Sequence, residues 1–361
     1  MTDAVFDPDE VSPAWLTDVL RSCGEATGEV SSLDAERIGA GKVGDNVRFT
    51  LTWSPPHSGP ATVVGKFPSP DPMSRAAGVS LGNYEREVRF YAELAGTVAV
   101  RAPHCHYAAL DDDTGDFVLV LADLAPATVG DQVAGCSVDE AAAAVDELVA
   151  LHAPRWGDPT LTTTGEWLGP RLVGGGDALA DAWRMMLPAF VERFDGRLED
   201  TTLSMAERFV DVVDAWVQPL DGPVTLTHND YRLDNLLFGL DPTDGSTTCA
   251  VVDWQTVGLG PGVADVSYVL GAGLLPDERR RVERDLLAGY LDGLAAAGVD
   301  LDPERAWWEY RRTAPAGLVM AVFASMVVGP GERSDEMFLA MANRHAAQMA
   351  DLGVPDLLDP A

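Results

Sequence analysis

Four residues carry the chemistry open to this sequence. His228, Asp230 and Asn235 follow one another as H-x-D-x-x-x-x-N, and Asp253 comes later, at the end of the apolar run Ala250-Val251-Val252. An amide oxygen and a carboxylate at neighbouring positions suit a hard cation such as Mg²⁺, which takes oxygen ligands and keeps phosphate oxygens among them. A further carboxylate one loop away, Asp230, can accept or orient the proton of an attacking hydroxyl. These types in this order fit phosphoryl transfer.

The elements that must hold them follow from the intervening residues. Leu236–Leu240 and Thr247–Val252 read as two short strands, and Asp241-Pro242-Thr243-Asp244-Gly245-Ser246 between them is rich in turn formers. Paired as a hairpin, their open end brings Asn235 next to Asp253. The spacing from Asp230 to Asn235, with a second metal-binding Asp further on, is that of the protein-kinase catalytic loop. Each residue alone reads equally well as a turn, a cap or a buried amide; the four in order beside strands carry the assignment.

Upstream, Glu36 to Leu51 is a Gly-rich stretch leading into a strand from Val47 to Trp53. Its glycines, Gly39 and Gly41 among them, allow a tight turn whose N–H groups approach phosphate, with Asn46 beside it. It is not a Walker A loop, because Lys42 is followed by Val and Glu36 stands where the first Gly belongs. Ala61–Phe67 is a β-branched strand carrying Lys66. Only two of the 25 basic side chains are lysines, Lys42 and Lys66, and both fall where phosphate contacts are expected. A helix over 74–95 follows from Leu81, Tyr84, Val88, Tyr91 and Leu94 at helical spacing. It carries Glu85 and Glu87, of which Glu87 is taken as the partner that fixes Lys66. The apolar strand over 116–121 ends in a polar loop containing Leu121, Ala122 and Asp123 at its start.

From Ser137 the pattern turns helical. Ser137 and Glu140 offer a capping box for a helix ending at His152, itself expected to be a dipole-complementing or core histidine. Further helices are predicted over 178–195, 200–217, 276–297, 303–328 and 334–352. Asp265, twelve residues after Asp253, leaves little room for a long activation segment and points to a small acceptor. It is read as a cap or an anchor for the catalytic loop.

With 57 acidic against 25 basic residues, the formal charge is −32. That argues against nucleic acid and anionic membranes as partners and leans mildly toward cationic small molecules. No apolar stretch is long enough to span a bilayer, and the acidic N-terminus is unlike a secretory signal. Cys23, Cys105, Cys136 and Cys249 form no CxxC pair or zinc spacing; thiols of a cytoplasmic protein are expected. Oligomeric state is not legible.

The chain resembles the aminoglycoside phosphotransferase-like superfamily of small-molecule kinases. HNDYRLDNLLF is similar to its H-[GN]-D-x-x-x-x-N loop, with Asn229 in place of the commoner Gly. VVDWQ is similar to its metal-binding Asp segment, and GPGVADVSYVL to the helix that follows, with its structural Asp. VLVLADLA and DELVALHAPRWGD resemble its hinge and the helix after it. The combination of DWQ with LHAPRW is most similar to the branch of ecdysteroid-kinase-like and bacterial phosphotransferases. The resemblance implies an α+β, bilobal protein-kinase-like fold: an N-lobe over 1–121, a hinge over 122–136 and a helical C-lobe over 137–361. It also implies ATP as donor, Mg²⁺ at Asn235 and Asp253, a small-molecule hydroxyl acceptor, and hinge backbone at Leu121, Ala122 and Asp123 reading adenine. Two alternatives remain: a nucleotide-sensing module without catalysis, and a metal-dependent phosphohydrolase, which lacks the further His/Asp cluster such sites need.

Overall fold

The computed structural model describes residues 3–39, 44–170, 172 and 175–359, which form two compact units, one of 1–96 with 102–125 and one of 97–101 with 126–361.

The first unit is built on five antiparallel strands in the order β1-β2-β3-β5-β4. They are β1 (Glu29–Ile38), β2 (Gly44–Ser54), β3 (Thr62–Pro68), β4 (Cys105–Leu110) and β5 (Phe117–Ala122). Alternation along β2 sends Val47, Phe49, Leu51 and Trp53 to one face. There they pack with Trp15, Leu16, Val19 and Leu20 of helix α1 (Pro13–Ser22) and with Val118 and Val120. Phe117, Leu119 and Leu121 are buried as well, so β5 reads as an unbroken apolar run. β1 lacks this alternation; most of its residues are exposed. The helix predicted over 74–95 is instead two helices, α2 (Pro72–Ser80) and α3 (Asn83–Arg89), followed by a π-helical turn, Phe90–Leu94. The break falls at Gly82, whose φ of 67° lies in the left-handed region.

The second unit is mostly helical. α4 (Val138–His152) starts with the capping box of Ser137 and Glu140. A three-stranded sheet has the order β6-β8-β9, with β6 (Thr128–Val129), β8 (Leu236–Leu240) and β9 (Thr247–Val251). A two-stranded ribbon pairs β7 (Thr225–Thr227) with β10 (Gly258–Gly260). Helices α5 (Asp177–Arg193), α6 (Asp200–Trp216), α7 (Val263–Gly273) and α8 (Pro276–Ala296) are followed by α9 (Pro303–Thr313), α10 (Pro315–Val327), α11 (Glu332–Asp351) and α12 (Val354–Leu358). The single helix predicted over 303–328 is two, because Pro315 has no N–H to continue α9 and instead opens α10. α7 is apolar on nearly every side and buried almost throughout, with α4, α8, α9, α10 and α11 around it. Of its polar groups, Asp265 and Tyr268 face the loop after β7, and Ser267 donates to the carbonyl of Tyr310 on α9. Among the described residues no helix is long and apolar enough to cross a membrane.

Candidate active site

In the second unit, β7 runs directly into the loop His228–Asn235. The loop is tied down through α7. Asp265, buried in the first turn of α7, accepts the backbone N–H of His228 on Oδ2 at 2.7 Å and that of Asn229 on Oδ1 at 2.9 Å. His152, wholly buried at the end of α4, places Nε2 3.3 Å from Asp265 Oδ2 and Nδ1 2.8 Å from the Tyr290 hydroxyl. His152 is therefore a core histidine that orients the anchor.

Asn229 has φ 63°, a left-handed conformation that Gly adopts freely and Asn tolerates better than most residues. Its amide nitrogen donates to the carbonyls of Thr227 and Thr256 and to Thr227 Oγ1. The interchange of Gly and Asn at this position thus has a backbone cause.

His228 does not act as a base here. Its Nε2 faces the carbonyl of Val252 at 3.1 Å and Nδ1 accepts the N–H of Asp230 at 3.3 Å, which fixes the neutral Nε2–H tautomer and occupies both nitrogens. The ring is a strut between the loop and the chain just before Asp253.

The Asp230 carboxylate, largely buried, receives three donors. Tyr268 Oη lies 2.9 Å from Oδ1; Asn235 Nδ2 and Arg232 Nε lie 3.0 and 3.2 Å from Oδ2. Burial and the nearby Asp230 charge push the Tyr268 phenol well above its usual range, so it stays a proton donor. Burial alone would lower the Arg232 guanidinium, but Asp230 and Asp234, the latter 2.6 Å from Nη1, outweigh it and raise its pKa.

Asn235 also donates Nδ2 to the Asp230 carbonyl at 2.8 Å. With its NH₂ spent on Asp230, the amide oxygen is the atom left for a cation. The hairpin of β8 and β9 pairs Leu236 with Val251, and the N–H of Val252 donates to the Asn235 carbonyl at 3.0 Å. Asp253 comes next, at φ 67°, with Gln255 Nε2 3.3 Å from Oδ2. Two left-handed non-glycine residues, Asn229 and Asp253, thus flank the loop, the kind of backbone strain that collects at functional sites. An amide oxygen and a carboxylate form an all-oxygen pair of the sort that Mg²⁺ prefers.

In the first unit, Lys66 on β3 is buried against Glu87 on α3. Its Nζ lies 2.7 Å from Oε1 and 2.6 Å from Oε2. Glu85 pairs instead with Arg89 at 2.8 Å on the helix surface. Asn46 sits directly across the ladder from Lys66, and Gly39, at φ 76°, lies just past the end of β1. Gly41, and Lys42 with it, falls outside the described residues. Leu121 is buried on β5 opposite Val64, and the N–H of Ala122 is taken by the carbonyl of His104 at 2.8 Å. The Asp123 carboxylate is clamped by Arg48, with Nε 2.7 Å from Oδ2 and Nη2 3.2 Å from Oδ1. Burial would raise this carboxyl, but Arg48 outweighs it and holds it below its usual range.

Sequence reasoning passed over Tyr268, Arg232 and Gln132. Gln132 accepts the N–H of Leu233 at 2.9 Å and donates to the carbonyl of Ala272 at 2.7 Å, bracing the loop from the side. A tyrosine and a serine side by side in an otherwise apolar helix, Ser267-Tyr268, were the available signal for the first.

The family model described as the phosphotransferase enzyme family matches residues 58–308. No curated protein sequence matches the chain. Among solved structures, choline kinase of Cryptosporidium parvum Iowa II is similar with a TM-score of 0.54 at 9% identity, covering 90% of this chain and 92% of that one. An ethanolamine kinase of Plasmodium vivax gives a TM-score of 0.53 at 11% identity, over 87% of this chain and 82% of its own. Aminoglycoside 2'-phosphotransferase-IIIa, solved as a GDP complex, gives 0.51 at 14% identity, over 92% of this chain and 97% of its own. At these identities the likeness is one of fold: a β-sheet N-terminal region and a helical C-terminal region of the protein-kinase-like kind. The match over residues 58–308 covers well over half of the sequence, and the chain belongs to the phosphotransferase enzyme family.

Proposed function

We propose that this enzyme transfers the γ-phosphoryl group of ATP to a hydroxyl of a small molecule, with Mg²⁺ held by Asn235 and Asp253. The observation that carries the reading is the Asp230–Asn235–Val252 linkage. One amide is turned toward Asp230 by its nitrogen and toward a cation by its oxygen, and a backbone hydrogen bond sets Asp253 beside it.

Asp230 orients the acceptor hydroxyl and takes its proton. Oδ2 is held by Asn235 and Arg232 and Oδ1 by Tyr268, so the carboxylate is fixed in direction before substrate arrives. When bound, Mg²⁺ supplies charge neutralisation to the phosphates. Lys66, held straight by Glu87, adds a cation for phosphate oxygens, and Gly39, Gly41 and Asn46 are the phosphate-contacting stretch. The backbone at Leu121, Ala122 and Asp123 is the adenine-reading segment; Ala122 contributes through its carbonyl, since its N–H is already paired. Alignment and charge stabilisation supply most of the rate, since the transferred group is already activated.

The test is ADP release with ATP and Mg²⁺ across a panel of amino alcohols, amino sugars, sugars and sterols, with Asp230→Asn as control. The expected result is turnover that needs an acceptor, Mg²⁺ and Asp230. Tight ATP binding with no transfer to any acceptor would favour a nucleotide-sensing module. Hydrolysis of phosphate esters without ATP would sink the kinase reading.

A further inference from the structure

A second cluster of ligand-type side chains lies in the first unit, and the kinase chemistry does not use it. His104, just before β4, and His106, within it, are two residues apart, at the irregularity that shifts the β4–β5 register between Cys105 and Tyr107. Their ring centroids are 5.1 Å apart. Across from them the chain leaves α1 through Cys23 and Gly24. Gly24, at φ 84°, reverses the chain so that the N–H of Glu25 caps the carbonyl of Leu20 at 2.9 Å, which fixes Glu25 in place.

One ligand atom each from Glu25, His104 and His106 lies within 4.8 Å of the others, the only such group among the described residues. Glu25 Oε1 is 3.7 Å from His104 Nε2, and Cys23 Sγ is 4.0 Å from His106 Nδ1. Donors around a tetrahedral zinc ion stand about 3.3–3.4 Å apart, given Zn–N and Zn–O bond lengths of about 2.0–2.1 Å. Glu25 and His104 are exposed enough to rotate inward to that spacing from separations of up to 4.8 Å.

His106 supplies the independent observation. It is more than nine-tenths buried, yet its Nε2 has no hydrogen-bond partner and its Nδ1 has only the distant thiol. Buried ring nitrogens are almost always paired.

We propose that Glu25, His104 and His106 bind one divalent transition-metal ion of the zinc class. Two imidazoles and a carboxylate make a set that suits such ions, unlike the all-oxygen pair at Asn235 and Asp253, so the site selects zinc-like ions over Mg²⁺. The bound ion ties the end of α1 to β4 and stabilises the first unit.

The experiment uses the full chain, stripped with chelator and titrated with Zn²⁺ and then Co²⁺. One ion should bind per chain, the melting temperature should rise with Zn²⁺, and Co²⁺ should give a tetrahedral visible spectrum. His104→Ala, at a site exposed enough to leave the fold intact, should weaken binding by about 100-fold or more, since even an outer-shell partner is worth roughly 10–100-fold. Asp253→Ala should leave all three readouts unchanged. Absence of stoichiometric Zn²⁺ binding, or equal binding by His104→Ala, would overturn the proposal.

Discussion

Tyr268 gives its hydroxyl proton to Asp230 Oδ1 at 2.9 Å, across 38 residues of sequence. The bond leaves Oδ2 with Asn235 and Arg232, so each carboxylate oxygen has its own restraint. Hydrogen bonds to charged groups contribute about 1.5–3 kcal/mol. Tyr268→Phe keeps the ring and its packing and removes only this bond. Its kcat for ADP release should fall about 10-fold or more, with nucleotide KM nearly unchanged and the melting temperature lowered by a few degrees. An unaltered kcat would show that the orientation of Asp230 does not limit turnover.

Asp265 uses both oxygens to hold the backbone of His228 and Asn229. An asparagine there has one acceptor and points an NH₂ group at an N–H. Asp265→Asn should lose about 1–3 kcal/mol of stability, measured as a shift of the urea midpoint at constant slope. Activity should fall further than stability, because the loop that carries Asp230 loses its anchor.

The left-handed backbone at Asn229 separates two substitutions that differ by one methyl group. Asn229→Gly loses the amide contacts to Thr227 and Thr256 but adopts φ 63° freely. Asn229→Ala loses the same contacts and adds the cost of a Cβ in that region, about 1–2 kcal/mol. Chemical denaturation should rank the alanine variant below the glycine variant by that margin; the reverse order would contradict the backbone argument.

His345 gives the protein a built-in acid sensitivity. Burial, with Arg279 and Arg344 nearby and only Gln348 opposing, lowers its pKa from the usual 6.5 to about 3. The ring lies against Gly317, where a Cβ would overlap it, which is why its Nε2 has no partner. The folded state refuses a proton that the unfolded chain accepts. This contribution is therefore complete above about pH 6.5 and is lost as the pH falls from there toward 3, at up to about 1.4 kcal/mol per unit. Urea stability measured at pH 7 and pH 5 should show that slope, and His345→Phe should flatten it.

Legibility followed the range of the interactions. The loop His228–Asn235 and the hairpin after it are local in sequence, so residue types and spacing identified them. The choice of Glu87 over Glu85 is explained only by the structure, where Glu87 lies on the buried side of α3 and Glu85 faces Arg89. The groups missed are those whose role exists only in three dimensions. Tyr268 reads as one more core aromatic of α7, and Gln132 as a loop residue, until the backbone brings both to the loop around Asp230. The two split helices have one cause. Helical periodicity persists through Gly82 and Pro315, but a left-handed residue or a missing N–H interrupts the hydrogen bonds beneath it.

The β8–β9 hairpin makes two distances in this sequence different in kind. The step from Asp230 to Asn235 is a closed loop with internal hydrogen bonds, and no residue can be added without opening it. The step from Asn235 to Asp253 is fixed by a ladder that starts at the Leu236–Val251 pair, while the far turn over 241–246 is exposed. Lengthening both strands equally moves that turn outward and leaves the two oxygen ligands where they are. A search template for such centres should therefore hold the first interval rigid and let the second stretch in matched pairs.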